Sequence, residues 1–221
     1  MHNIIEIGQD YCTTWPQKND FLLPNNALLN PQLLADSITD IPKGKITFLL
    51  NIAQTNVSLM PSVTIPRHLD SDKYINSHAL LPDGRFWLST IPSHISNVLL
   101  EMCRIKKIRL KRIQAIDTLE YRLANYCYQQ SMANIYIFLP LKSGIHLITF
   151  DSNGVCSYYF FSNNPAFREN ELSRIHQNHN TPPQNAIILS NDSSYDWLYD
   201  FNKGLIFDDT LKEKMISQWL G

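Results

Sequence analysis

The chain has 221 residues, enough for one large domain or two small ones around a substantial core. Hydrophobic residues make up 44 % and charged residues 18 %, which excludes a disordered chain and implies a surface rich in neutral polar groups. A net charge of −1 supplies no global field toward nucleic acid or acidic lipid, and only 7 glycines are available for phosphate-cradling turns.

The start, Met1 to Glu6, shows neither a basic leader region nor a long apolar one, and no run approaches the ~18 apolar residues that span a bilayer. Ile4 to Ile7, closed by Gly8, reads as a first strand, with Thr13 to Trp15 as its hairpin partner. Residues 16–31 are rich in Pro and Asn and read as irregular loop. Asn30 and Pro31 then open a short helix to Ile38. Lys45 to Ala53 is a buried strand and Val57 to Ile65 a weaker one. The polar stretch 66–83 leaves room for a short helix.

Arg85 to Ile91 is a strand, after which Pro92 and Ser93 open a helix with Ile95, Val98, Leu99, Met102 and Ile105 on one stripe. Arg109 to Ile116 alternates as a strand, and Asp117 caps a helix whose Leu119, Leu123 and Tyr126 point inward. Three strands follow, Asn134 to Pro140, Ile145 to Asp151 and Val155 to Ser162, with Asn153-Gly154 as a hairpin turn. Ala166 to Gln177 reads as helix and Ala186 to Ser190 as strand. Ser194 to Phe201 and Asp209 to Leu220 read as helices. Strand pairs interleaved with helices make the fold class mixed α/β. There is no repeat of fixed period, and a domain boundary is expected near 108–116.

The four cysteines, Cys12, Cys103, Cys127 and Cys156, are dispersed without a C-x-x-C and fit buried reduced thiols, a disulfide remaining open. His176 and His179 lie one helical turn apart but lack the Glu of H-E-x-x-H and a third ligand, so a solvated helix end is the better reading. Arg104, Lys106, Lys107, Arg109, Lys111 and Arg112 form a basic cluster that nucleic acid or acidic lipid would favour. Ile105, Ile108, Leu110 and Ile113 interleave with it, as on the wet side of a helix end and a strand. Gly44-Lys45 lacks the rest of a P-loop, and Ser190, Ser193 and Ser194 lack a G-x-S-x-G elbow. Tyr158 to Phe161 form an aromatic block: either two rings are exposed as anchors for a partner, or both sheet faces are covered.

The order of elements from Phe86 to Phe160, with Ile116-Asp117 opening a helix, resembles the PilM and GspL family of pilus and secretion scaffolds, of which BfpC is a shorter relative. Ile5-Glu6-Ile7-Gly8 stands where that family has I-D-I-G, and Ala186 to Asp192 resembles the strand before its adenosine-side glycines. The resemblance implies an actin-like (ribonuclease-H-like) fold in two lobes, 1–110 and 111–221, or one compact unit. It also marks vestigial nucleotide positions at Glu6, Gly8, Asp10, Ser143, Gly144 and Asn191.

Each of the three turns departs from what gripping a triphosphate requires. Glu6 replaces Asp, and Tyr11 and Cys12 replace small residues at the first turn. Leu139-Pro140-Leu141-Lys142-Ser143-Gly144-Ile145 replaces D-x-G-x-x-x-T, so the carboxylate is gone and Pro140 offers no N–H. Asn191-Asp192 stands where glycines would admit adenosine. No cofactor, no metal and no catalytic residue is expected.

The function implied is a non-catalytic cytoplasmic scaffold, peripheral to the inner membrane and reaching the membrane only through its partners. It would link an assembly ATPase to inner-membrane subunits of a type IV pilus or type II secretion machine, with no nucleic acid involved. In PilM-like proteins a short peptide of a membrane partner docks in a groove. A homodimer is compatible with this. The alternatives are an ATP-binding actin-like switch or enzyme, and a nucleic-acid-binding module using 104–112.

Overall fold

A computed structural model describes residues 2–15, 17–41, 43–52, 55–61, 73–131, 134–141, 144–162, 165–178, 185–188 and 205–207. The residues divide into two compact units, and the division falls inside one helix. Among the described residues, the first unit holds 2–80 and 86–119, and the second holds 81–85 and 120–207. No described helix is long and apolar enough to cross a membrane.

The first unit is built on a five-stranded sheet. β1 (His2–Gly8) pairs antiparallel with β2 (Tyr11–Trp15), and β2 with β3 (Asn19–Leu22). On its other side β1 runs parallel to β4 (Lys45–Asn51), and β4 parallel to β8 (Arg109–Ala115). The spatial order is β3-β2-β1-β4-β8. Between β4 and β8 the chain makes a separate three-stranded antiparallel sheet, β5 (Asn56–Met60), β7 (Phe86–Pro92) and β6 (Tyr74–Leu80), in the order β5-β7-β6.

Helix α1 (Pro31–Ser37) starts as its sequence dictates. Pro31 takes the first position, and the Asn30 side chain accepts hydrogen bonds from the N–H groups of Gln32 and Leu33. α1 and α2 (Ser93–Ile105) cover one face of the sheet. There Ile5, Ile7, Phe48, Leu50, Leu34, Ile95, Leu99 and Met102 form the core.

The second unit repeats this plan. β9 (Ile135–Leu141) and β10 (Gly144–Phe150) form a hairpin extended by β11 (Cys156–Ser162), while β12 (Asn185–Ile188) and β13 (Leu205–Phe207) add in parallel. The order β11-β10-β9-β12-β13 matches the first sheet strand for strand, although the sequence shows no repeat. One face packs Phe138, Leu147 and Phe161 under Ile175 of α4 (Pro165–Asn178). Facing α3 (Ile116–Ser131), Phe150 stacks on Tyr128 at 4.9 Å between ring centroids.

Several expectations need correction. Residues 16–31 are not all loop: β3 adds an edge strand there, because Asn19 to Leu22 pair with Tyr11 to Thr14. Residues 74–80 are strand rather than helix, since His78 and Ala79 find ladder partners on β7. α3 begins at Ile116, so Asp117 lies inside its first turn instead of capping it, and the helix runs to Ser131. Ile105 and Tyr126 are each 42 % exposed, at a helix end and on the outer side of a helix, while Cys103 is buried instead. β13 had no signal strong enough to find. The helices expected at 194–201 and 209–220 lie outside the described residues.

Candidate functional site

The first candidate position is the β1–β2 hairpin. Period-two alternation on β1 sends Ile5 and Ile7 into the core and Glu6 to the opposite face, where it is nonetheless buried. Tyr11 opens β2 and folds back over the turn. Its hydroxyl donates to Glu6 Oε1 at 2.9 Å, and Asn51 Nδ2 donates to both the Tyr11 hydroxyl (2.7 Å) and Glu6 Oε1 (3.3 Å). Burial and the neighbouring Glu6 carboxylate both push the Tyr11 phenol far above its ordinary pKa, so it stays a neutral donor.

The ring itself rests on Gly8. A Cβ added to Gly8 would lie 1.9 Å from Tyr11 Cε1. The glycine that resembles a phosphate-cradling residue is therefore required by the protein's own tyrosine. Asp10 and Gln9 are exposed at the tip, and the Asp10 carbonyl accepts the Leu23 N–H at 2.9 Å. Of the vestigial residues at this hairpin, the structure joins Glu6 and Gly8 around Tyr11 and leaves Asp10 in solvent.

The second candidate is the β9–β10 hairpin. Leu141 pairs with Gly144, and the turn residues Lys142 and Ser143 lie outside the described residues. Pro140 pairs with Ile145, and the described pairing of β9 with β12 ends at Phe138, so the missing N–H of Pro140 breaks no described ladder bond. A Cβ on Gly144 would sit 2.1 Å from the Phe161 carbonyl oxygen and 2.7 Å from the Phe160 ring. This glycine, too, serves packing. The third position, Asn191 with Asp192, lies outside the described residues, as do His179, Ser190, Ser193 and Ser194.

Sequence reasoning missed a buried pair in the second unit. His146 Nδ1 lies 2.7 Å from Glu120 Oε2, and the imidazole sits edge-on to Tyr158 and Phe160 at 5.2 and 5.4 Å. The groups are 26 residues apart, which leaves no local signal. Ligands of a tetrahedral zinc, each about 2.0–2.2 Å from the ion, stand roughly 3.3 Å apart. The observed separation is that of a hydrogen bond. The aromatic block divides between the two readings: Phe161 is buried and Tyr159 packs on the core, while Phe160 is 48 % exposed.

The segment 81–85 forms a second polar cluster. Arg85 pairs with Asp83 and donates to the Cys156 carbonyl, and the Cys156 N–H reaches Asp83 Oδ2 at 3.4 Å. Burial works upward on Asp83, but the hydrogen bonds and charge of Arg85 outweigh it and hold the carboxyl below its usual value. Among the described residues, every shift resolved for a thiol or phenol is upward. Burial raises Cys12 and Cys156 to about 12, Cys103 to about 11, and Tyr121 and Tyr136 to about 12. These groups remain protonated near neutrality, the reverse of an activated nucleophile.

No family model matches the sequence, and no curated protein matches it. Solved structures do. A Bacteroides thetaiotaomicron protein with actin-like ATPase fold and unknown function superposes with a TM-score of 0.65 at 10 % identity, over 97 % of this chain and 94 % of that one. The fold is actin-like. The PilM–PilN type IV pilus biogenesis complex matches with a TM-score of 0.62 at 10 % identity, over 99 % of this chain and 97 % of that one. The cytoplasmic domain of EpsL, an inner membrane component of the type II secretion system of Vibrio cholerae, matches with 0.53 at 7 % identity, over 98 % and 93 %.

Proposed function

We propose that this chain is a non-catalytic cytoplasmic scaffold, peripheral to the inner membrane, that links an assembly ATPase to inner-membrane subunits of a type IV pilus or type II secretion machine. One observation carries the reading. The first hairpin turn is filled by the chain's own Tyr11, which Glu6 and Asn51 hold over Gly8. A carboxylate committed to a tyrosine and an asparagine inside the protein is poorly placed to serve Mg²⁺ or orient water. The likeness to PilM and to the EpsL cytoplasmic domain supports the assembly role, and the raised thiols and phenols support the absence of covalent chemistry.

The experiment is co-purification from the host's solubilised inner membranes on the immobilised chain. It should retain a membrane subunit or the motor ATPase of a pilus or secretion machine, identified by mass spectrometry. Retention of neither class, with the chain folded, overturns the assembly role.

A further inference from the structure

The basic cluster singled out in the sequence is not used by either hairpin. Six of the chain's 19 cationic residues fall between 104 and 112, and no acidic residue occurs from Met102 to Ile116. The structure places this stretch at the end of α2 and along β8, the terminal strand of its sheet among the described residues. Arg104 pairs with Glu101, and Lys107, at φ 54, ends the helix, where cations suit the carbonyl-rich terminus.

Lys45, Arg109 and Arg112 lie away from that helix end. Arg109 lies directly opposite Lys45 of β4, and Arg112 opposite Thr47, so alternation puts Lys45, Arg109 and Arg112 on one face. All three are exposed. Like charges directly opposite one another on neighbouring strands are destabilising. The register slips by one residue at Lys111, and a bulge together with a charge blocks casual pairing of sheet edges. The bulge disfavours indiscriminate edge pairing, and the cations repel a basic strand but attract an acidic one.

We propose that β8, the terminal strand of its sheet among the described residues, together with the exposed Lys45, Arg109 and Arg112, docks an extended acidic segment of a partner protein. The argument is charge complementarity. Arg109 stands beside Lys45 and Arg112 beside Thr47 on two paired strands, so an acidic segment laid along β8 would meet all three cations on one face. The near-neutral chain as a whole gives no general attraction for nucleic acid or membrane. The surface is distinct from both hairpins, and the proposal stands whether or not the assembly role does.

The test is fluorescence anisotropy with a labelled ten-residue peptide of alternating Glu and Val. Wild type should bind it, less tightly as salt rises. The K45E/R109E/R112E variant should bind roughly tenfold or more weakly, and the matching Lys-Val peptide should not bind. All three positions are exposed, and K45Q/R109Q/R112Q serves if charge reversal impairs folding. Absence of peptide binding, or binding unchanged in both variants, overturns the proposal. So does tighter binding of a single-stranded 20-mer DNA or of phosphatidylserine vesicles than of the peptide.

Discussion

Removing a single oxygen tests whether Tyr11 is held in place over Gly8. In Tyr11→Phe the ring remains, but Glu6 loses a donor at 2.9 Å and Asn51 loses an acceptor at 2.7 Å. Both lie in a buried setting, with Tyr11 7 % and Glu6 6 % exposed. A hydrogen bond to a charged group contributes about 1.5–3 kcal/mol. For a urea slope of about 2–3 kcal/mol/M in a chain of this size, the midpoint should fall by roughly 0.5–1.5 M with the slope unchanged. Glu6→Gln in the same cycle should show coupling of about 1 kcal/mol with Tyr11→Phe, because the amide keeps the acceptor but loses the charge that strengthens the Tyr11 bond. Urea denaturation followed by circular dichroism supplies the four values. A Tyr11→Phe midpoint within experimental error of wild type, or strict additivity with Glu6→Gln, refutes the anchoring.

The two glycines at the hairpins should respond differently to Ala. Gly8→Ala should be destabilising in wild type and much less so in a Tyr11→Ala background, because the obstacle is the Tyr11 ring; thermal melts of the four proteins decide this. Gly144→Ala should cost about 1–3 kcal/mol in urea midpoint, since its Cβ meets backbone at 2.1 Å and not a movable side chain. Stability should hold below pH 9 and decline from pH 9 toward 12. The folded pKa values of Cys12, Cys103, Cys156, Tyr121 and Tyr136 lie above their unfolded values of 9.0 and 10.0, so the unfolded chain gives up these protons first. An aromatic disulfide reagent at pH 8 should leave these three thiols unmodified until urea unfolds the chain. Asp83 titrates below its ordinary 3.8, so its contribution is present above that pH and lost as pH falls through the folded value. Arg85→Ala should remove that acid sensitivity and cost about 1 kcal/mol, given that Arg85 is about one-third exposed.

Strong local signals were legible in the sequence. The Asn30-Pro31 start of α1, the apolar run of β4 and the Asn153-Gly154 turn each carry their physics within a few residues, and Gly154 does adopt φ 79. β3 and β6 were not legible, because Asn19 to Leu22 and Tyr74 to Leu80 become strands through ladder partners that their own composition does not announce. At the candidate site, the departures at Glu6 and Tyr11 were readable as substitutions. Their consequence was not: the bond between Glu6 and Tyr11 depends on a hairpin register and on Asn51, 45 residues from Glu6. Burial of Glu120 against His146 is equally nonlocal. Gly8 and Gly144 resemble ligand-binding glycines in sequence, and each also makes room for a neighbouring aromatic residue or for the backbone, which no local pattern announces.

The most direct test of the central claim is a thermal-shift titration of the wild-type chain with magnesium and ATP. A turn filled by Tyr11 predicts a melting temperature that stays constant as nucleotide rises to millimolar concentration. A rise that grows logarithmically with ATP, as binding to the folded state requires, contradicts it.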